Sequence, residues 1–143
     1  MNKKKKHTFE EMDKINDQLI KENPNVANRE EELMRLATKL MSTQQFQRSI
    51  EMYKQLAAEF PDKKSLYLSQ VGVGYFFLNE LEQAIAYYVL AYEQGFDAEM
   101  SDDNIWEACE ALFKANGNTE SLQKYLTLFP KGKYRASAEK LLK

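Results

Sequence analysis

The sequence predicts an all-α protein, a stack of three helical hairpins with one further helix at each end. Apolar residues recur at intervals of three and four along most of the chain, which is the one-face period of an α-helix. No segment alternates apolar and polar residues with a period of two, so we predict no strands. One pattern of apolar and small residues also occurs three times, at offsets of 35 and 37 residues.

Length and composition indicate a single domain. The chain has 143 residues, of which 43% are hydrophobic and 12% aromatic, and this is enough for one core. The formal net charge is −2. Because nucleic-acid binding needs a clustered basic face, we expect no nucleic acid among the partners. The single cysteine cannot form an internal disulfide.

The N-terminal part is predicted to comprise a disordered basic tail over residues 1–7 and the start of the domain at residue 8. Four lysines at positions 3–6 are followed at once by polar residues, so we expect no secretory signal. No apolar run reaches the roughly 18 residues of a membrane span, and we expect a cytoplasmic protein without membrane contact. Thr8 and Glu11 form a capping box, which predicts a helix over 8–22. Its apolar stripe consists of Phe9, Met12, Ile15 and Leu19.

Three helical hairpins are predicted over about 30–63, 65–98 and 102–130, followed by a C-terminal helix over 133–142. Asn28 and Glu31 repeat the capping signal at the start of the first hairpin. Turns within the hairpins are predicted at residues 42–45, at Asn79 and at residues 116–118, where Asn and Gly tolerate the left-handed conformation that such turns need. Residues 8–143 therefore form one domain in this prediction.

The repeated pattern is carried by apolar and small residues at matched positions. In the middle hairpin it comprises Leu68, Val71, Gly72, Tyr75, Ala84, Tyr88 and Phe96. The copy before it comprises Leu33, Leu36, Ala37, Leu40, Ser49, Tyr53 and Pro61, and the copy after it comprises Ile105, Ala108, Cys109, Leu112, Ser121 and Tyr125. This spacing resembles the tetratricopeptide repeat, W-x2-L-G-x2-Y…A-x3-F…P. The resemblance implies a right-handed α-solenoid whose concave face binds a protein or peptide.

Small residues mark the points where two helices are expected to approach closely. Gly72 and Ala84 are predicted to face each other across such a crossing. Cys109 occupies an equivalent position, where a free cysteine behaves as a small buried hydrophobe.

Catalytic chemistry is not expected. The only histidine is His7, on the predicted tail, where it cannot be held at a fixed distance from a substrate. The pair Gly72 and Gly74 lies in a predicted helix and lacks the context of a phosphate-binding loop. We therefore expect no enzyme, no cofactor and no metal. The acidic residues Asp97, Glu99, Asp102 and Asp103 are interpreted as capping a helix, with a calcium site as the alternative.

A second stripe lies one residue beyond each first-helix packing stripe, and the resemblance implies that it lines the concave groove. Its members are Met34, Thr38, Met41, Ser69, Val73, Phe76, Trp106, Glu110 and Phe113. Some tetratricopeptide proteins hold a carboxylate here with basic and amide side chains, which this stripe lacks. We therefore expect an apolar helical or extended ligand, with the Trp106 ring turned out of its helix pair as an anchor.

Several interpretations of the groove stay open. The N-terminal helix could fill it, or two copies could pair through that helix or through the groove. A more specific alternative comes from the arrangement of one N-terminal helix before three repeats, which is similar to the tetratricopeptide chaperones of bacterial type III secretion. An immunity-like protein that sequesters a secreted partner would have the same pattern.

Overall fold

A computed structural model of the chain describes Lys14 and residues 26–143. Lys14 is helical and exposed. The rest of the predicted helix over 8–22 and the predicted basic tail over 1–7 lie outside the described residues. Within the described part, no helix is long and apolar enough to cross a membrane.

Residues 26–143 fold into seven α-helices and one 3-10 helix, each packed chiefly against its neighbour in the sequence. The helices are α1 (Val26–Ser42), α2 (Phe46–Glu59), the 3-10 helix (Pro61–Lys63), α3 (Lys64–Phe77), α4 (Leu81–Glu93), α5 (Ala98–Asn116), α6 (Glu120–Leu128) and α7 (Arg135–Leu141). No strand occurs among these residues. The prediction of an all-α fold is confirmed for this part of the chain.

The turns that end α1 and α3 have the same backbone geometry. Asn79 has a φ of 61°, as the sequence predicts for this position, and Gln44 has a φ of 63° without any signal in the sequence. In each turn the next residue donates its N–H to a carbonyl five residues earlier, Gln45 to Leu40 at 2.8 Å and Glu80 to Tyr75 at 2.9 Å. The left-handed residue turns the backbone so that the next N–H reaches a carbonyl group that the helix end would otherwise leave unpaired. Gly117, with a φ of 71°, ends α5 in the predicted third turn.

The helix pairs are held close at the predicted small residues. Ser49 on α2 donates its hydroxyl to the carbonyl oxygen of Ala37 on α1 at 2.8 Å, and Ser121 on α6 donates to that of Cys109 on α5 at 2.9 Å. Three of these side chains are fully buried, and Ser121 is 6% exposed. The same bond therefore links the helices of the first and third pairs.

In the middle pair, α3 and α4 pack closely without a serine hydroxyl at the corresponding position. A Cβ atom added to Gly72 would lie 2.6 Å from Cδ1 of Tyr88. The close crossing predicted at Gly72 is present, but the nearest atoms are those of the Tyr88 ring and not those of Ala84. Glycine is required here because the ring of a buried tyrosine takes the space of a side chain.

We expect Gly72→Leu to lower the free energy of unfolding by about 1–3 kcal/mol, because the new side chain would overpack the contact with Tyr88. Thermal melts followed by circular dichroism would measure the loss. The matched control is Ala86→Leu on the exposed side of α4, which should leave the melting temperature nearly unchanged. Equal melting temperatures for both variants would contradict the packing described.

Candidate functional site

The nine residues predicted to line a groove lie on α1, α3 and α5, three on each helix. Thr38 is exposed. Met34, Met41, Val73, Phe76, Glu110 and Phe113 are partly buried, whereas Ser69 and Trp106 are buried, with 2% and 6% of their surface exposed. The accessible part of the stripe is therefore carried by seven of the nine residues, and its tryptophan is not among them.

The prediction that the Trp106 ring faces outwards is wrong. Tyr134, which precedes α7, stacks on it with ring centroids 5.5 Å apart and 8° between the planes. Tyr125 on α6 meets the same ring edge-on at 5.2 Å. Helical phase does turn Trp106 away from the packing position of Ile105. A segment that comes later in the chain then covers the ring.

We expect Trp106→Ala to destabilise the protein by about 3–5 kcal/mol, the usual cost of removing a large buried aromatic side chain. Urea unfolding followed by circular dichroism would measure it. A conservative Trp106→Phe variant, which keeps a ring against Tyr134, should retain most of the stability. A Trp106→Ala variant as stable as the wild type would show that the ring contributes little to the core.

A strap, defined as residues 130–143, is fastened to the start of α5 by two aspartates. Asp102 accepts the Tyr125 hydroxyl at 2.5 Å and the backbone N–H of Lys133 at 2.9 Å. Asp103 accepts the Lys133 ammonium at 2.8 Å and the Tyr134 hydroxyl at 2.7 Å. The Tyr125 hydroxyl also accepts the backbone N–H of Tyr134 at 3.0 Å.

The predicted acidic cluster therefore divides into two roles. Asp97 caps α5 by accepting the backbone N–H of Met100 at 2.8 Å, so one member of the cluster does cap a helix, and the helix begins at Ala98, four residues before the predicted start at 102. Asp102 and Asp103 instead hold the strap, a role that their position near a helix start does not indicate. Within the described residues, no group of three acidic, histidine or cysteine side chains is placed to hold a metal ion.

The fastening of the strap should weaken in acid. The hydrogen bonds from Lys133 and Tyr134 favour the charged form of Asp103 and lower the pKa of its carboxyl group below the ordinary 3.8. A carboxyl group whose pKa is lower in the folded state stabilises that state above its unfolded pKa. The stabilisation is lost as the pH falls through the folded pKa.

We therefore expect the strap to loosen below about pH 4. The charged and titratable groups around the contact are Glu99, Asp102, Asp103, Tyr125, Lys133 and Tyr134. Emission from Trp106, the single tryptophan of the chain, would report the change. The shift in emission should begin at higher pH than the loss of helical circular dichroism.

In Asp103→Asn, where the charge is absent, the strap should already be loosened at neutral pH. Coincident transitions in both proteins would contradict this expectation.

The accessible part of the stripe lies chiefly where α1 and α3 meet. Cε of Met41 on α1 is 3.6 Å from the position that a Cβ of Gly74 on α3 would occupy. The Thr38 hydroxyl is 3.0 Å from the Tyr53 hydroxyl, which also accepts from the Gln70 amide at 3.5 Å. These polar groups are already bonded to one another. The apolar side chains of Met34, Met41, Val73 and Phe76 at this junction remain partly exposed.

Three phenylalanine rings, Phe46, Phe76 and Phe77, form a phenylalanine cluster at the C-terminal end of α3. Phe77 stacks on Phe46 of α2 at 5.2 Å and meets Phe76 edge-on at 6.1 Å. Phe77 is 57% exposed, more than any other large apolar side chain among the residues described. Leu78 follows it and is also exposed.

Sequence reasoning missed Phe46, Phe77 and Leu78 because it followed only the spacing of the stripe. Another signal was available in the sequence: from Ser65 to Leu78 there is no charged residue. A helix that is apolar around its whole circumference is normally covered on all sides. On α3 the side that carries Leu66, Gln70, Val73 and Phe77, of which three are apolar, is not fully covered.

The cysteine has only a packing role in the structure. Cys109 is fully buried, and burial raises the pKa of its thiol to about 12. The thiol is therefore protonated at neutral pH and is not a nucleophile there. This agrees with the prediction that Cys109 behaves as a small hydrophobe.

Comparison with known proteins gives no match. No protein-family model matches the chain, and no curated protein and no solved structure is significantly similar to it.

Proposed function

We propose that the chain is a tetratricopeptide-type α-solenoid that binds an apolar segment of another protein, without catalysing a reaction. The repeated pattern in the sequence and the three successive helix pairs support the architecture. Ser49 and Ser121 make equivalent bonds in the first and third pairs, which supports a common origin of the pairs in one repeated unit.

The uncovered apolar side of α3 is the observation on which the binding function rests. Leu66 is 37% exposed and Phe77 is 57% exposed, at opposite ends of one helix without an intervening charge. Large contiguous apolar surfaces are uncommon on proteins that have no partner, because exposing them to water is unfavourable. Aromatic side chains at the centre of such surfaces are frequent anchors of binding.

The chemistry around this surface favours an apolar ligand over an anionic one. Two basic residues, Arg35 and Lys39, lie beside the accessible stripe on α1, and Arg35 is paired with Glu32 at 2.5 Å. Glu110 on α5 is paired with Lys114 at 3.6 Å. No cluster of free cations is thus present at these positions to receive a carboxylate. An amphipathic helix or an extended segment with large apolar side chains would match the surface.

We expect Phe77→Ser to weaken partner binding at least about tenfold, because truncation of an aromatic anchor commonly costs about 2 kcal/mol or more. Folding should be little affected, since the side chain is already more than half exposed. The partner would first be recovered from cells of the source organism with the wild-type protein as bait. Its bound segment would then be mapped and titrated by isothermal calorimetry.

The matched control is Met100→Ser in the first turn of α5, where a large apolar side chain is 54% exposed away from the phenylalanine cluster. This variant should bind as the wild type does. Equal affinities of Phe77→Ser and the wild type, with both proteins folded, would exclude the α3 surface as the binding site.

A further inference from the structure

The surface of α5 under the strap has the features of a peptide-binding site. Its floor is the Trp106 ring, on which Tyr134 stacks. Its polar edge consists of two carboxylates, of which Asp102 accepts a main-chain N–H and Asp103 accepts an ammonium group and a phenol hydroxyl. Apart from Tyr125 of α6, which also contacts Asp102 and Trp106, two consecutive residues, Lys133 and Tyr134, supply the groups that this surface receives. In the strap, the surface therefore accommodates a basic residue directly followed by an aromatic one.

The approach of the strap depends on a glycine. A Cβ atom at Gly132 would overlap the Tyr125 hydroxyl and would lie 2.7 Å from Cβ of Phe129. The chain can therefore pass directly over α6 and place the next two residues against α5. The contact therefore depends on glycine at position 132 as well as on the side chains of Lys133 and Tyr134.

Beyond these two residues the strap has few buried side chains. Only Ala138 of α7 is buried, and Leu141 and Leu142 pack against the core but remain partly exposed. α7 has seven residues, and helices this short are not stable in water without packing. A terminal segment with few buried apolar side chains opens at a lower free energy than the core. The polar contacts of Lys133 and Tyr134 thus add to this limited apolar packing in holding the strap in place.

We propose that Asp102, Asp103 and Trp106 form a binding site for a protein segment with a basic residue directly before an aromatic residue, and that the strap is a resident competitor for this site. The inference extends the proposed function, since its ligand is also a segment of a protein, but the site is separate from the phenylalanine cluster. A tethered competitor acts at an effective concentration on the order of millimolar. A partner segment therefore binds only the fraction of molecules in which the strap is open, and its apparent affinity falls by that fraction.

A labelled synthetic peptide with the sequence of residues 129–143 is the probe. Fluorescence anisotropy would measure its binding to the full-length wild type and to the full-length double variant Lys133→Ala, Tyr134→Ala, in which the resident strap is weakened. The double variant should bind the peptide at least about tenfold more tightly than the wild type. A peptide carrying the same two substitutions should bind at least about tenfold more weakly. Adding Asp103→Asn to the double variant should also reduce peptide binding.

Two results would overturn the proposal: equal binding of the original and substituted peptides, or binding to the double variant that is no tighter than to the wild type. If the double variant loses its helical circular dichroism, hydrogen exchange of the wild-type protein tests the proposal instead. Backbone amides of Lys133, Tyr134 and Leu142 should exchange faster than those of α3, and exchange at the same rate would overturn the proposal. Phe77→Ser should not change peptide binding, so this test is independent of the one for the α3 surface.

Discussion

Close approach of two helix backbones within each pair is the constraint on which the other contacts depend. In the first and third pairs, a serine hydroxyl bonds to a carbonyl oxygen twelve residues earlier on the partner helix. In the middle pair, Gly72 leaves the corresponding space to the Tyr88 ring. Protein interiors are close-packed, so a larger side chain at these positions would move one helix relative to the other. The contacts between successive pairs would then lose their geometry.

Aromatic residues fill much of the space between successive helices, and two buried tyrosines pair their hydroxyl groups with carboxylates. The buried hydroxyl of Tyr67 donates to Glu30 on α1, and that of Tyr125 donates to Asp102 on α5. Burial raises the pKa of both tyrosines, and the neighbouring carboxylates act in the same direction. Both hydroxyls thus remain donors. Lys54 on α2 contributes in a similar way, because its ammonium group donates to Tyr75 at 2.9 Å and lies over the rings of Tyr75 and Tyr87.

Trp106 and Phe77 are aromatic residues on the first helices of their pairs, and they differ in exposure. Both project away from the packing stripe of the first helix of a pair. The strap covers Trp106 with Tyr134, whereas Phe77 is covered on one face by Phe46 and remains 57% exposed. In the proposed function, the exposed ring is an anchor that is ready for a partner. Under the proposal for the strap, the covered ring would become available to a partner only when the strap opens. The strength of the polar contacts at Asp102 and Asp103 would therefore set how readily the second surface binds.

For residues 26–143, the sequence by itself determined the helical character of the chain, the places of the turns within the hairpins and the positions of close packing. The signals for these features are the apolar period, the turn residues Asn79 and Gly117, and the small residues. Each acts through local conformation or through contacts within one hairpin, so its effect can be predicted from the spacing of residues. Tertiary structure alone decided that Tyr88 lies against Gly72, that Tyr134 covers Trp106 and that Phe77 stays exposed. The position of a residue in the helical period predicts which way its side chain points. Whether a later segment docks over that side chain depends on contacts between residues far apart in the chain, and no local pattern records them.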